Sequence, residues 1–235
     1  MRILVGWLAA TLLLAAACGG STPSSSSTAS PPQTPTDSPA SATVTTSAAP
    51  VTGAECGVER WPVKTLSDQD AAKVDFTLGP SSVIKLRSLA APASLPPSSR
   101  IAPTELSVFI VTAEVVEMKL EDDRDIHLVI AEPGNPSATM IAEFPDADEC
   151  SGAVASAHAE EMRRARASLV AAFGQPSSSQ FTKVTGTAIL IGVGFFDFLH
   201  DQTGVAPNGI ELHPVIGFTL LSPPTPAPTP STAYP

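Results

Sequence analysis

Basic residues are scarce in this chain: 13 Lys and Arg stand against 23 Asp and Glu, a formal charge of −10. Only Arg2 and Asp37 fall outside residues 55–221, so that stretch carries 12 basic and 22 acidic side chains. So acidic a surface repels phosphate backbones and removes nucleic acid as the default partner. Familiar catalytic signatures are missing as well. There is no GxSxG elbow, no HExxH helix and no phosphate-cradling glycine loop. Cysteine occurs three times and never in CxxC spacing, which weakens a thiolate metal site. The one long apolar run, Ile3 to Leu14, is too short to span a bilayer comfortably.

That apolar run is informative in another way. Arg2 supplies a positive n-region, Ile3 to Leu14 an h-region, and Ala15-Ala16-Ala17 the small residues of a cleavage site. The run LLLAAAC then resembles a bacterial lipobox, with Cys18 as the acylated N-terminus of the mature chain; plain secretion after Ala17 is the alternative. Residues 1–18 thus read as a lipoprotein signal peptide, and the expected address is the extracytoplasmic face of the cell membrane. Residues 19–54 are Ser, Thr, Pro and Ala with few large apolar side chains, the composition of a disordered tether. Residues 222–235, SPPTPAPTPSTAYP, form a Pro-rich tail of the same character. A single globular domain is expected between them, at 55–221.

With Cys18 assigned to lipid, Cys56 and Cys150 remain, and in an oxidising compartment a disulfide between them is the preferred reading. Closing a loop of that length stabilises by about 4 kcal/mol in the chain-entropy account. Separate thiols are the alternative.

Inside the domain, residues 55–103 read as an N-terminal extension. Ser67 to Val74 and Ser82 to Leu89 suggest short helices, and the Pro-rich stretch from Ala91 to Pro103 suggests an irregular connector. From 104 to 221 the pattern turns to strands. Leu106 to Leu120 is long, β-branched and apolar on both alternating sets, as in a curved barrel strand. Asp125 to Ala131 and Ala138 to Phe144 follow across a Pro133-Gly134 turn. A helix with apolar positions at helical spacing is expected from Ala153 to Phe173, stopped by Gly174. Val184 to Val193 and Ile210 to Phe218 complete the strands. Three strands, a helix and two strands is the order of an OB-like five-stranded barrel; an α+β sandwich is the alternative.

The pieces Trp61-Pro62-Val63-Lys64, KLEDDRDIHLVIAEPG at 119–134, MIAEFPD at 140–146 and GFFDFLHDQTGVAPNGIELHPV at 194–215 resemble a family of uncharacterised secreted bacterial proteins. The resemblance spans nearly the whole domain and implies no activity. Where that family has glycine after the histidine of its last motif, this chain has Asp201.

The last motif lies in a loop between strands and concentrates Asp197, His200, Asp201, Asn208, Glu211 and His213, with His127 next to the acidic run Glu121 to Asp125. These are candidate binding residues. Two readings follow. In the first, the chain is a non-catalytic binding module of the bacterial envelope, held to the membrane by its lipid and engaging an envelope protein or glycan. In the second, His200, Glu211 and His213 hold a divalent metal for hydrolysis of a phosphodiester or ester. With Arg124 the one arginine between Ile101 and Arg163, a nuclease-like site is poorly supplied.

Overall fold

The computed structural model describes residues 53–222. The signal peptide with Cys18, the tether through Thr52 and the Pro-rich tail after Ser222 lie outside the described residues.

The fold is mainly β, one six-stranded sheet with a few helices. Strands β1 (Asp75–Ser81), β2 (Ser107–Leu120), β3 (Ile126–Glu132), β4 (Asn135–Phe144), β5 (Thr182–Phe196) and β6 (Ile210–Ser222) are joined by α1 (Trp61–Lys64), α2 (Val83–Arg87), α3 (Ser151–Ala155) and α4 (Ala159–Phe173). Pairing runs β1-β2-β3-β4-β6-β5, and β5 returns to β2. Five strands therefore bond in a ring. All ring pairings are antiparallel except β4 with β6, which is parallel and short, at Ile141↔Glu211 and Ala142↔Leu212. The helices between the third and fourth ring strands complete the order expected of the OB-like arrangement.

Strand β2 explains how one segment serves three neighbours. Val111, Ala113 and Val115 point inward, but the register shifts between Val115 and Glu117, and Met118 points inward next. The bulge adds one residue, reverses the alternation and bends the strand. This is why both alternating sets of β2 are apolar: one fills the ring, while Val108 packs outside it. Ile126, Leu128 and Ile130 from β3, Met140, Ala142 and Phe144 from β4, Val184, Ala188 and Leu190 from β5, and Ile210, Leu212, Val215 and Phe218 from β6 share the ring interior, joined by Ala165 and Leu169 of α4.

Two expectations are corrected. The extension also contributes to the sheet, because β1 pairs in parallel with β2, from Asp75↔Ser107 to Ser81↔Val111. The helix expected over 153–173 is two helices. Ser156 takes extended backbone angles, φ −65° and ψ 141°, its hydroxyl donates to the Leu66 carbonyl and it accepts from the His158 amide. A buried serine bonded to backbone on both sides outcompetes the helical ladder there.

Cys56 and Cys150 form a disulfide, 94 residues apart in sequence. Beside it, the Ala54 amide donates to Glu149 and the Ser151 amide to Ala54. Trp61, Leu66 and Val74 of the extension pack with Cys150, Met162 and Val193 in a second apolar cluster outside the ring. No helix of the described residues is long and apolar enough to cross a membrane.

Candidate functional site

Strand parity places the site. On β3, Ile126 and Leu128 face the ring interior, so His127 faces outward; on β4, Ala142 and Phe144 face inward and Glu143 outward. His127 and Glu143 are register partners, and the His127 Nδ1 lies 3.0 Å from Glu143 Oε1. On β6, Leu212 faces inward while Glu211 and His213 share the outer side. Asp125, just before β3, completes the group. An outer sheet face normally meets water, yet these five side chains are all buried.

Two segments cover them. Lys64, at the end of α1, reaches Asp197 at 2.9 Å, just past the end of β5. The loop between β5 and β6 folds back so that the Thr203 carbonyl lies 2.9 Å from His127 Nε2. Gly204 permits this approach: at φ +83° it sits where a Cβ would fall 2.5 Å from the Val129 side chain.

The result is a buried charge network. Burial pulls the His127 pKa down, but the Glu143 charge and hydrogen bond, the Thr203 carbonyl and Glu211 outweigh it and lift it to about 9. His213 Nε2 lies 3.0 Å from Asp125 Oδ2, and its Nδ1 lies 3.7 Å from Glu211 Oε2. Burial again opposes the charge on His213, yet these two carboxylates raise it to about 9. The first contact lacks hydrogen-bond alignment and the second is too long for a hydrogen bond, so the pairing is ionic. Asp125, Glu143 and Glu211 are themselves raised above the usual carboxylate range, chiefly by desolvation. Desolvation also works against charged Lys64, and the Asp197 and Glu211 carboxylates more than restore it. Glu143 Oε2 has no hydrogen-bond partner among the described residues.

Above part of this network lies a cavity of about 630 Å³. Lys64, His127, Glu143 and Asp197 line it, together with Trp61 and Phe181. The disulfide-held segment Cys56 to Glu59 forms one wall, Glu121 to Asp123 another, and His200 to Thr203 a third. His200 Nε2 and Glu59 Oε2 are 3.1 Å apart, with about half of each side chain exposed, so they meet across the rim.

The sequence candidates thus separate. His127 and Asp197 line the cavity, and His200 and Asp201 belong to its rim. Asp201 has φ +60°, a left-handed conformation that glycine adopts more readily. Glu211 and His213 are sealed in the network. Asn208 serves the fold, its amide donating to the Leu86 and Leu89 carbonyls at 3.0 Å each. His200, on the rim with Glu59, does not join Glu211 and His213. Among the described residues no group of three or more His, Cys, Asp and Glu is arranged to hold a metal ion.

Lys64 and Glu143 were missed as candidates. Their signal was present: Glu143 is the one charge in the apolar run MIAEF, and Lys64 lies within the quoted WPVK. The molecule is defined so far as an OB-like β-ring protein with an acidic, histidine-bearing cavity on its outer face. No protein-family model, curated protein or solved structure matches the chain.

Proposed function

We propose that the chain is an extracytoplasmic binding module, tethered to the membrane through lipidated Cys18, that receives its ligand in the cavity above His127 and Glu143. The ligand is a small molecule, or a single group presented by an envelope protein or glycan. The observation that carries this reading is the network beneath the cavity. Burying several ionisable groups on an outer sheet face costs stability, and packed apolar side chains would hold the extension there at less expense. The second apolar cluster does so on the same side of β2 and β5. Charge kept in place under a concavity of ligand size is the mark of a binding site. The Cys56–Cys150 disulfide suits an oxidising compartment.

Two measurements test the reading. Thr203 is exposed and lines the cavity, so Thr203→Trp fills the space and leaves the strands intact. A thermal-shift screen of the full-length protein against envelope glycan fragments, amino acids and short peptides is expected to give ligands whose shift disappears in that variant. Ligands that bind both proteins equally would place the site elsewhere. For the anchor, Cys18→Ser is expected to move the protein from the membrane fraction to the medium. Membrane retention of that variant with its signal peptide removed would refute lipid anchoring.

A further inference from the structure

The charge count of the network is uneven. With both histidines protonated, Lys64, His127 and His213 face Asp125, Glu143, Asp197 and Glu211, three positive charges against four negative. Each cation is already engaged: Lys64 by Asp197, His127 by Glu143, and His213 by Asp125. Glu143 is left with one unpartnered oxygen while its side chain, about nine-tenths buried, lines the cavity. Glu143 included, carboxylate side chains outnumber basic ones on the cavity wall seven to three. A buried carboxylate without full compensation is costly, and a positive charge brought close to it in a poorly hydrated site recovers part of that cost.

Aromatic surface supplies a second attraction. Phe181, half-buried, lines the same cavity above the buried Trp61, and this protein already sets cations over rings. The Lys119 ammonium lies 5.9 Å from the Phe181 ring centre, and the Arg60 guanidinium 4.7 Å from that of Phe195. Exposed Val58 beside Glu59 adds apolar area at the rim.

We infer that the ligand of this cavity is a small organic cation, a primary ammonium or guanidinium carried on a short aliphatic chain, whose charged end is held by Glu143, with Glu121, itself paired to Lys119 at 2.8 Å, adding to the negative wall, and whose chain lies against Phe181 and Val58. This rests on the cavity being the binding site, and it adds the chemical class. It excludes carboxylate and phosphate ligands, which the acidic wall repels.

Three probes of equal length separate the classes: 1,5-diaminopentane, pentane-1,5-diol and glutarate, titrated into the full-length protein while the His127 ring signals are followed by NMR. The diamine is expected to bind and shift those signals, with the diol and glutarate at least tenfold weaker. Glu143→Gln is expected to weaken the diamine at least tenfold. Glu121 is partly exposed and paired with Lys119 at 2.8 Å, so Glu121→Gln keeps the fold, leaves Lys119 without that carboxylate and serves if the buried variant misfolds; a threefold or greater loss is expected there. Glu160→Gln, on the exposed side of α4, is the control and leaves binding unchanged. Glutarate or the diol binding in preference to the diamine would overturn the cationic class while leaving the cavity as the site. Silence from all three probes at His127, together with an envelope ligand that still binds Thr203→Trp, would remove both.

Discussion

His127 and His213 hold their protons to about pH 9 in the folded chain, against about 6.5 when unfolded. Their contribution to stability is complete below about pH 6.5 and is lost as the pH climbs toward 9. Asp125, Glu143 and Glu211 also have raised folded values, so their contribution is present below the unfolded carboxylate value of about 4 and is lost as the pH rises through the folded values. The signs agree. Urea denaturation is therefore expected to show stability falling between pH 6.5 and 9 by on the order of a few kcal/mol, and His213→Gln is expected to flatten the slope. A midpoint that rises with pH over that window would contradict the network. At this scale the sequence disclosed residue types but not their company. His127, Glu211 and His213 were visible as groups that move protons. Their pairing with Asp125 and Glu143 depends on which side of each strand faces out, and the bulge in β2 shows how one residue reverses that parity.

At the level of elements, the strands and turns were legible because each carries a local cause. The Ser82 hydroxyl accepts from the Lys85 amide at the start of α2, and Gly134, at φ +75°, completes the Pro133-Gly134 turn. What was not legible comes from distant partners. Strand β1 has mostly exposed or half-buried side chains and a proline, so nothing in its own pattern announces a strand; pairing with β2 creates it. The break before α4 likewise depends on the carbonyl of Leu66, 90 residues away. The loop between β5 and β6 owes its path to Gly204, which makes a sharp prediction. Gly204→Ala combines a positive φ with a clash against Val129 and is expected to destabilise by about 1–2 kcal/mol. It should also lift the Thr203 carbonyl off His127 and lower that ring's pKa, which an NMR titration reads directly. Reduction of Cys56–Cys150 is expected to cost about 4–5 kcal/mol in the loop-entropy account. Because Cys56 lines the cavity, reduction should also weaken ligand binding; unchanged affinity after reduction would show that this wall plays no part.

For the described molecule as a whole, the extension and the ring are expected to unfold as one cooperative unit, since the ties between them are buried. The Arg60 guanidinium grips both oxygens of Glu105 at 2.7 and 2.8 Å and also donates to the Phe196, Pro96 and Ser99 carbonyls. Glu105 in turn accepts from the Ile101 and Phe196 amides. Every polar group of that pair has a use, and both side chains are almost fully buried. Val83 and Leu86 of the extension pack with the ring interior itself, so stripping the extension away would open the core as well as the outer face. Trp7 and Trp61 are the two tryptophans; with the signal peptide and its Trp7 removed, fluorescence reports the extension alone, while far-UV circular dichroism reports mostly the ring strands. The two unfolding curves are expected to coincide. Arg60→Met leaves Glu105 buried without its counter-charge, a change expected to cost about 3–5 kcal/mol and to move both curves together. If fluorescence changed at lower denaturant than circular dichroism, the extension would be a separable lid over a self-sufficient ring. The buried charges beneath it would then be exposed with each opening, and the cavity would lose the dry floor on which the proposed ligand recognition depends.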